Sequence, residues 1–280
     1  MTKLPTVFLG HGSPMNAITD TDYGHNWRKL GQHLRQHYDI RAILAVSAHW
    51  CTEGTAVTAM PQPRTIHDFG GFPQALYDMH YPAPGSPELA QTVRALLKDN
   101  NIAADYHWGL DHGTWGVLCH VFPEADIPVV QLSLNVRLSA EGHFDLGRQL
   151  APLREQGILI VGSGNIVHNL RAADFSRMDN ATESYAWAES ARAWVNERLR
   201  SGNIPELANE QAYPEALRLA APTPEHYWPL LYIAGAAQTD EPICLFNDDI
   251  VGKSLSMTSV LIGDTQFHDT LNPKVCYVQG

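Results

Sequence analysis

The stretch "IRAILAVSAHW", Ile40 to Trp50, decides how this chain is read. Ile40 to Val46 is apolar and β-branched enough for a buried strand, and a histidine, His49, follows within three residues. Open α/β sheets present ligand-binding groups beyond the carboxyl ends of their strands. The same form recurs twice. Thr6 to Leu9 runs into "GHGSP", which places His11 between two glycines that let backbone and ligand approach closely. Ile158 to Val161 runs into "GSGNIVHN", which ends near His168. A fourth histidine, His226, opens a later helix beside the apolar run Leu230 to Ala234.

Helical patterns separate these segments. Trp27 to Gln36, Phe144 to Gln156 and Ser184 to Arg200 read as helices, the last with Trp187, Ala191 and Trp194 along one face. In "PGSPELAQTVRALLKD", Ser86 suits the cap, Pro87 the first helical position and Glu88 the first turn. Thr223 and Pro224 repeat that signal before His226. Thr55 to Ala59 and Ile127 to Leu134 read as further strands, and "CLFND" and Ser254 to Ile262 as late strands of antiparallel character. Strands alternating with helices imply an α/β fold: a single three-layer domain with a central, mainly parallel or mixed sheet flanked by helices.

Composition narrows the function. Of 280 residues, 44% are hydrophobic and 18% charged, enough for a sizeable core. With 19 basic against 30 acidic residues the formal charge is −11, and no basic run suits a phosphate backbone, so no nucleic-acid partner is expected. Apolar stretches are too short and interrupted for a membrane span, and no secretory signal opens the chain. The four cysteines, Cys51, Cys119, Cys244 and Cys276, are widely spaced and form no CxxC pair, as in a cytoplasmic protein with reduced thiols. "GSGNIVHN" is no Walker loop, and no Rossmann fingerprint follows the first strand.

Fourteen histidines are many for this length, and each has an ordinary reading as a turn, packing or helix-end residue. His33 and His37, spaced i,i+4, are expected at a solvated helix end rather than in a metal clip. In "WGLDHGTWGV", His112 is a further site candidate, and Asp111 either orients a histidine or faces water. Trp108 and Trp115 are expected to pack the core. "TIHDFGGFP" reads either as an ordinary glycine turn or as a mobile loop that lends His67 or Phe69 to a substrate.

Together, "FLGHGSPMN", "VSAHW", "TIHDFGGFPQALYDMHYPAPGSP", "DHGTWGVL", "GSGNIVHNL" and "TPEHYWPLLY" resemble the class III extradiol ring-cleaving dioxygenases, most closely the bacterial and plant 4,5-DOPA dioxygenase extradiol group. The resemblance runs over residues 4–262 and leaves 263–280 as a C-terminal extension, either an ordered cap or a loose tail. It implies a non-haem Fe(II) enzyme that inserts O2 into a catechol such as DOPA and gives a ring-opened semialdehyde, 4,5-seco-DOPA. The implied metal ligands are His11, His49 and His226. His168 matches the acid/base histidine, which some descriptions also count near the metal, and His112 one that either supports a metal ligand from behind or contacts substrate.

Many extradiol enzymes hold iron with two histidines and one carboxylate. A third histidine, His226, departs from that pattern and also suits zinc(II), which the isolated protein could carry. Two alternatives stand beside the dioxygenase: a zinc hydrolase of small amides or esters, and a silent metal- or catechol-binding protein. The expected partner is a small catechol, with the chain as a monomer or small homo-oligomer.

Overall fold

The computed structural model describes residues 2–178, 183–271 and 277–279. The strands are β1 (Thr6–Gly10), β2 (Ala42–Thr52), β3 (Ala56–Thr58), β4 (Ala103–Asp105), β5 (Val129–Asn135), β6 (Ile158–Gly164), β7 (Ile243–Phe246), β8 (Ile250–Val251), β9 (Leu255–Ser256), β10 (Ser259–Ile262) and β11 (Tyr277–Gln279). The helices are α1 (Asp22–His37), α2 (Gln74–Tyr77), α3 (Pro87–Leu96), α4 (His112–Val121), α5 (Ala140–Leu150), α6 (Ala186–Arg200), α7 (Glu215–Ala220) and α8 (Trp228–Ala236).

Nine strands make one sheet in the order β11-β7-β10-β1-β6-β2-β5-β3-β4, and β8 pairs with β9 apart from it. The centre, β1-β6-β2-β5, is parallel. β10 runs antiparallel to both β1 and β7, and β3 antiparallel to β5, so the sheet is mixed. β1 and β6 are buried at every position, which is why they read as unbroken apolar runs.

Alternation splits these strands between two cores. Phe8, Leu44, Val46 and Ile160 face a core shared with α3, α5, α6 and α8. Val7, Leu9, Ile43, Ala45, Leu159 and Val161 face one shared with α1 and α4. The three-layer α/β expectation holds.

Helix starts differ from the apolar pattern, and capping explains why. Thr21 Oγ1 accepts the Gly24 N–H, so α1 begins five residues before Trp27. Ser139 Oγ accepts the Gly142 N–H and starts α5 before Phe144, and the helix tightens into a 3-10 turn at Ala151–Gln156, where Pro152 has no N–H to give. Ser86 caps α3 as expected, through the Leu89 N–H. Thr223 makes no such cap; its hydroxyl donates to Glu225 Oε1 at 2.7 Å, and Pro224–His226 is a 3-10 turn before α8.

The expectation of a solvated helix end at His33 is corrected. His33 is buried, and its Nε2 lies 2.8 Å from Asp264 Oδ2. Asp264 also accepts the Tyr38 hydroxyl at 2.6 Å and the backbone N–H groups of Gln266 and Phe267. The segment after Ile262 is thereby tied to α1, and Phe267 packs in the core 5.4 Å from the His33 ring. β11 then adds to the outer edge of β7.

Candidate active site

The carboxyl ends of the four central strands lie at one edge of the sheet. Gly10 pairs with Gly164 and Ser47 with Ser163, so the residues that leave β1, β2 and β6 arrive at the same level. Five histidines meet there. The His11 ring centre is 5.1 Å from that of His49 and 5.3 Å from that of His226; His49 and His226 are 5.0 Å apart. His112 lies 3.9 Å from His49, and His168 stacks on His226 at 3.4 Å with the rings nearly parallel.

Three of these rings are turned the same way. His11 Nδ1 is 2.9 Å from Ser163 Oγ. That hydroxyl donates its proton to Gly113 O at 2.5 Å, so it accepts from His11 and leaves the His11 Nε2 lone pair free. His49 Nδ1 faces Asp68 Oδ2 at 3.4 Å, and His226 Nδ1 faces Glu225 Oε1 at 3.3 Å. A carboxylate can only accept, so a proton on either Nδ1 leaves the Nε2 of that ring as the lone pair.

These nitrogens converge. One ring nitrogen from each of His11, His49 and His226 lies within 4.8 Å of the others. His11 Nε2 and His49 Nε2 are only 3.4 Å apart, and His226 Nε2 is buried with no hydrogen-bond partner. Lone pairs that face each other repel; a cation between them reverses the sign. Three imidazoles that leave an open position fit a divalent metal used in catalysis.

Burial and mutual repulsion favour the neutral form of His11, His49, His168 and His226. Burial, then the other histidines, hold His11 and His226 well below the ordinary imidazole range. Burial and His112 pull His49 down to about 3 despite Asp68. Burial takes His168 to about 4, against the opposing pull of Glu225. Neutral imidazole is the form that binds a metal or accepts a proton.

Backbone packing fixes these positions. His11 donates its N–H to Gly164 O at 3.0 Å, and its carbonyl accepts Asn16 Nδ2 at 2.9 Å. The His226 carbonyl accepts the Asn165 N–H at 2.8 Å, and a Cβ on Gly164 would sit 2.2 Å from that carbonyl oxygen. Only glycine lets β6 run this close to the turn. His168 donates its N–H to Ala220 O at 2.8 Å.

His112 is the first residue of α4, whose cap is Asp111. Asp111 is fully buried, holds the Thr114 N–H and bonds Gln131, so it neither faces water nor orients His112. Asp68 takes that place. Its Oδ1 accepts the His112 backbone N–H at 2.9 Å and lies 3.0 Å from His112 Nδ1. His67, singled out beside it, instead sets its Nε2 2.9 Å from Met79 O. Phe69 reaches the site, with its ring 5.4 Å from His112. Trp115 is wholly buried, while Trp108 is half-buried and stacks on Trp50 at 5.6 Å.

The five histidines assigned to the site, His11, His49, His112, His168 and His226, are thus brought together, and His67 is not among them. Asp68, Ser163 and Glu225 were not singled out as partners of these rings. Their one signal was chemical type beside a histidine or glycine motif.

Residues 5–260 match the family model for the catalytic LigB subunit of aromatic ring-opening dioxygenase. The 4,5-DOPA dioxygenase extradiol of Escherichia coli strain K12 is 50% identical over 266 residues, which cover 94% of this chain and 96% of that protein. The 4,5-DOPA dioxygenase extradiol of Beta vulgaris is 36% identical over 258 residues, 91% of this chain and 94% of its own. A crystal structure of an uncharacterized Escherichia coli K12 protein superposes with a TM-score of 0.77 at 44% identity, covering 93% of this chain and all of that one.

Proposed function

The chain belongs to the LigB family and is an extradiol aromatic ring-opening dioxygenase, and from that premise we propose how its histidines divide the work and what they act on. The substrate is a catechol with a polar side chain, of which DOPA is the example that the named relatives supply. The product is the ring-opened semialdehyde, 4,5-seco-DOPA in that case. One observation carries the assignment: a ring nitrogen from each of three imidazoles lies within 4.8 Å of the others, with His11 Nδ1 bonded to Ser163 and a carboxylate beside the Nδ1 atoms of His49 and His226.

His11, His49 and His226 hold the metal, iron(II) for activity. Bound there, iron(II) would supply the Lewis acidity and the redox chemistry that a reaction between a catechol and O2 requires. Zinc(II) fits the same nitrogens but lacks redox chemistry, so a zinc-filled protein would be inactive. His168, neutral and stacked on His226, accepts a hydroxyl proton as the catechol binds and returns it as the ring opens. His112, on the far side of His49, hydrogen-bonds the oxygen cosubstrate or the substrate oxygens. Phe69 walls the site and excludes water.

The catalytic unit proposed is residues 4–262, with 263–280 a C-terminal extension whose described part packs against it. Among the described residues no helix is long and apolar enough to cross a membrane. Cys51 and Cys119 are free thiols, which supports a reducing, cytoplasmic setting for a monomer or small homo-oligomer that meets only small molecules.

The test compares two loaded forms. Protein reconstituted anaerobically with iron(II) is given DOPA and then O2. Stoichiometric oxygen uptake with a yellow product, absent from the zinc(II) form, is expected. Turnover by the zinc form, or no uptake with verified iron occupancy, overturns the assignment.

A further inference from the structure

One carboxylate serves two histidines of different duty. Asp68 Oδ2 lies 3.4 Å from His49 Nδ1, and Asp68 Oδ1 lies 3.0 Å from His112 Nδ1 while it accepts the His112 backbone N–H. The residue is on neither the sheet nor a helix. It sits in the loop between β3 and α2, and fixed bonds hold that loop on the site. Ile66 donates its N–H to Leu110 O at 2.8 Å, and Trp115 Nε1 donates to Ile66 O at 2.7 Å. His67 is held by Met79 O, and Phe69, the next residue after Asp68, lies against His112. Gly70 and Gly71 follow, with Gly71 at φ +78° and open space around both, so the chain turns away at once.

We propose that Asp68 is the positioning residue of the site: it fixes the His49 proton on Nδ1, so that Nε2 faces the metal, and holds His112 in register through the same carboxyl group. The proposal rests on the metal-site reading above and deepens it. Without a carboxylate at Nδ1, a neutral His49 is free to place its proton on Nε2, where it blocks ligation. Acceptors of this kind orient metal-bound imidazoles, and their loss typically lowers metal affinity by about 10–100-fold. His112 is tied more firmly, because the carboxyl group accepts its backbone N–H and lies beside its ring. The wall residue Phe69 and both rings therefore move as one unit with the loop.

The test uses the metal-free full chain with zinc(II) as probe. In Asp68→Asn the side chain keeps its shape and a carbonyl oxygen for the His112 N–H, but an NH2 replaces one acceptor. Long-range proton–nitrogen NMR of the histidine rings, assigned against His49→Ala, is expected to show His49 protonated on Nδ1 in the wild type and shifted towards Nε2 in Asp68→Asn. Zinc affinity should fall about 10–100-fold. His67→Ala, which keeps the carboxylate and removes one bond that holds the loop, should lower zinc affinity far less than Asp68→Asn; an equal loss there would show that loop packing, not the carboxylate, matters. Unaltered tautomer and affinity in Asp68→Asn overturn the proposal. The wild-type spectrum decides even if the variant fails to fold, because His49 protonated on Nε2 is incompatible with it. A wild-type chain that binds no zinc would overturn the metal-site reading itself, and the proposal with it.

Discussion

A neutral imidazole has one N–H and one lone pair, and its neighbour decides which nitrogen has which. At this site Ser163, Asp68 and Glu225 make that decision for His11, His49 and His226. The three rings are therefore equivalent in chemistry although they come from a strand end, a bulged strand and a 3-10 turn. Replacing His11 or His49 by alanine should lower zinc affinity by more than about a hundredfold, beyond what loss of a supporting acceptor costs, with the circular dichroism spectrum unchanged. Retention of full metal stoichiometry and affinity would remove that residue from the ligand set. His168→Ala should keep the metal and lose about 10²–10⁴-fold in ring opening, the usual worth of a positioned acid or base. Unchanged turnover would end its proton-transfer role.

At the scale of elements, the central strands were legible because burial on both faces writes itself as an apolar run, and histidines that follow such runs stand out. Other features were not legible. β2 continues through His49 to Thr52, with a shift in pairing to β5 between Val46 and Cys51, whereas Ser47 and His49 are polar enough to look like a loop. The helix starts depended on Thr21 and Ser139, which lie outside the apolar pattern. The role of Asp68 was hidden for another reason: its loop is placed by Leu110, Trp115 and Met79, contacts that no local spacing encodes. The distinct roles of the histidines came from the family resemblance, since spacing alone does not separate a ligand from a base. Close passage of β6 past the His226 turn gives a prediction at this scale. Gly164→Ala should cost about 1–3 kcal/mol of stability, the usual range for overpacking, and weaken metal binding by displacing His226. Denaturant unfolding and zinc titration measure the two; wild-type values for both would show that the turn yields freely.

The molecule as a whole places its reactive edge at the carboxyl ends of β1, β6 and β2 and closes its far flank with the segment after Ile262. Asp264 is the clasp. Burial raises its carboxyl, but hydrogen bonds from His33, Tyr38 and two backbone N–H groups outweigh that and hold it far below the ordinary carboxylate range. A depressed carboxyl contributes stability that is present above its unfolded value, near pH 4, and is lost as pH falls towards its folded value. Wild-type stability should therefore decline below about pH 4 by on the order of 2 kcal/mol more than that of Asp264→Asn. Parallel melting profiles for the two proteins would deny the clasp its role. The claim on which the rest depends is the three-imidazole metal site. X-ray absorption at the zinc edge, on protein loaded with one equivalent of zinc(II), tests it most directly. The expected result is a shell with three imidazole nitrogens at about 2.0–2.1 Å. A shell of two imidazoles and a carboxylate would contradict it and move Glu225 or Asp68 into the ligand set.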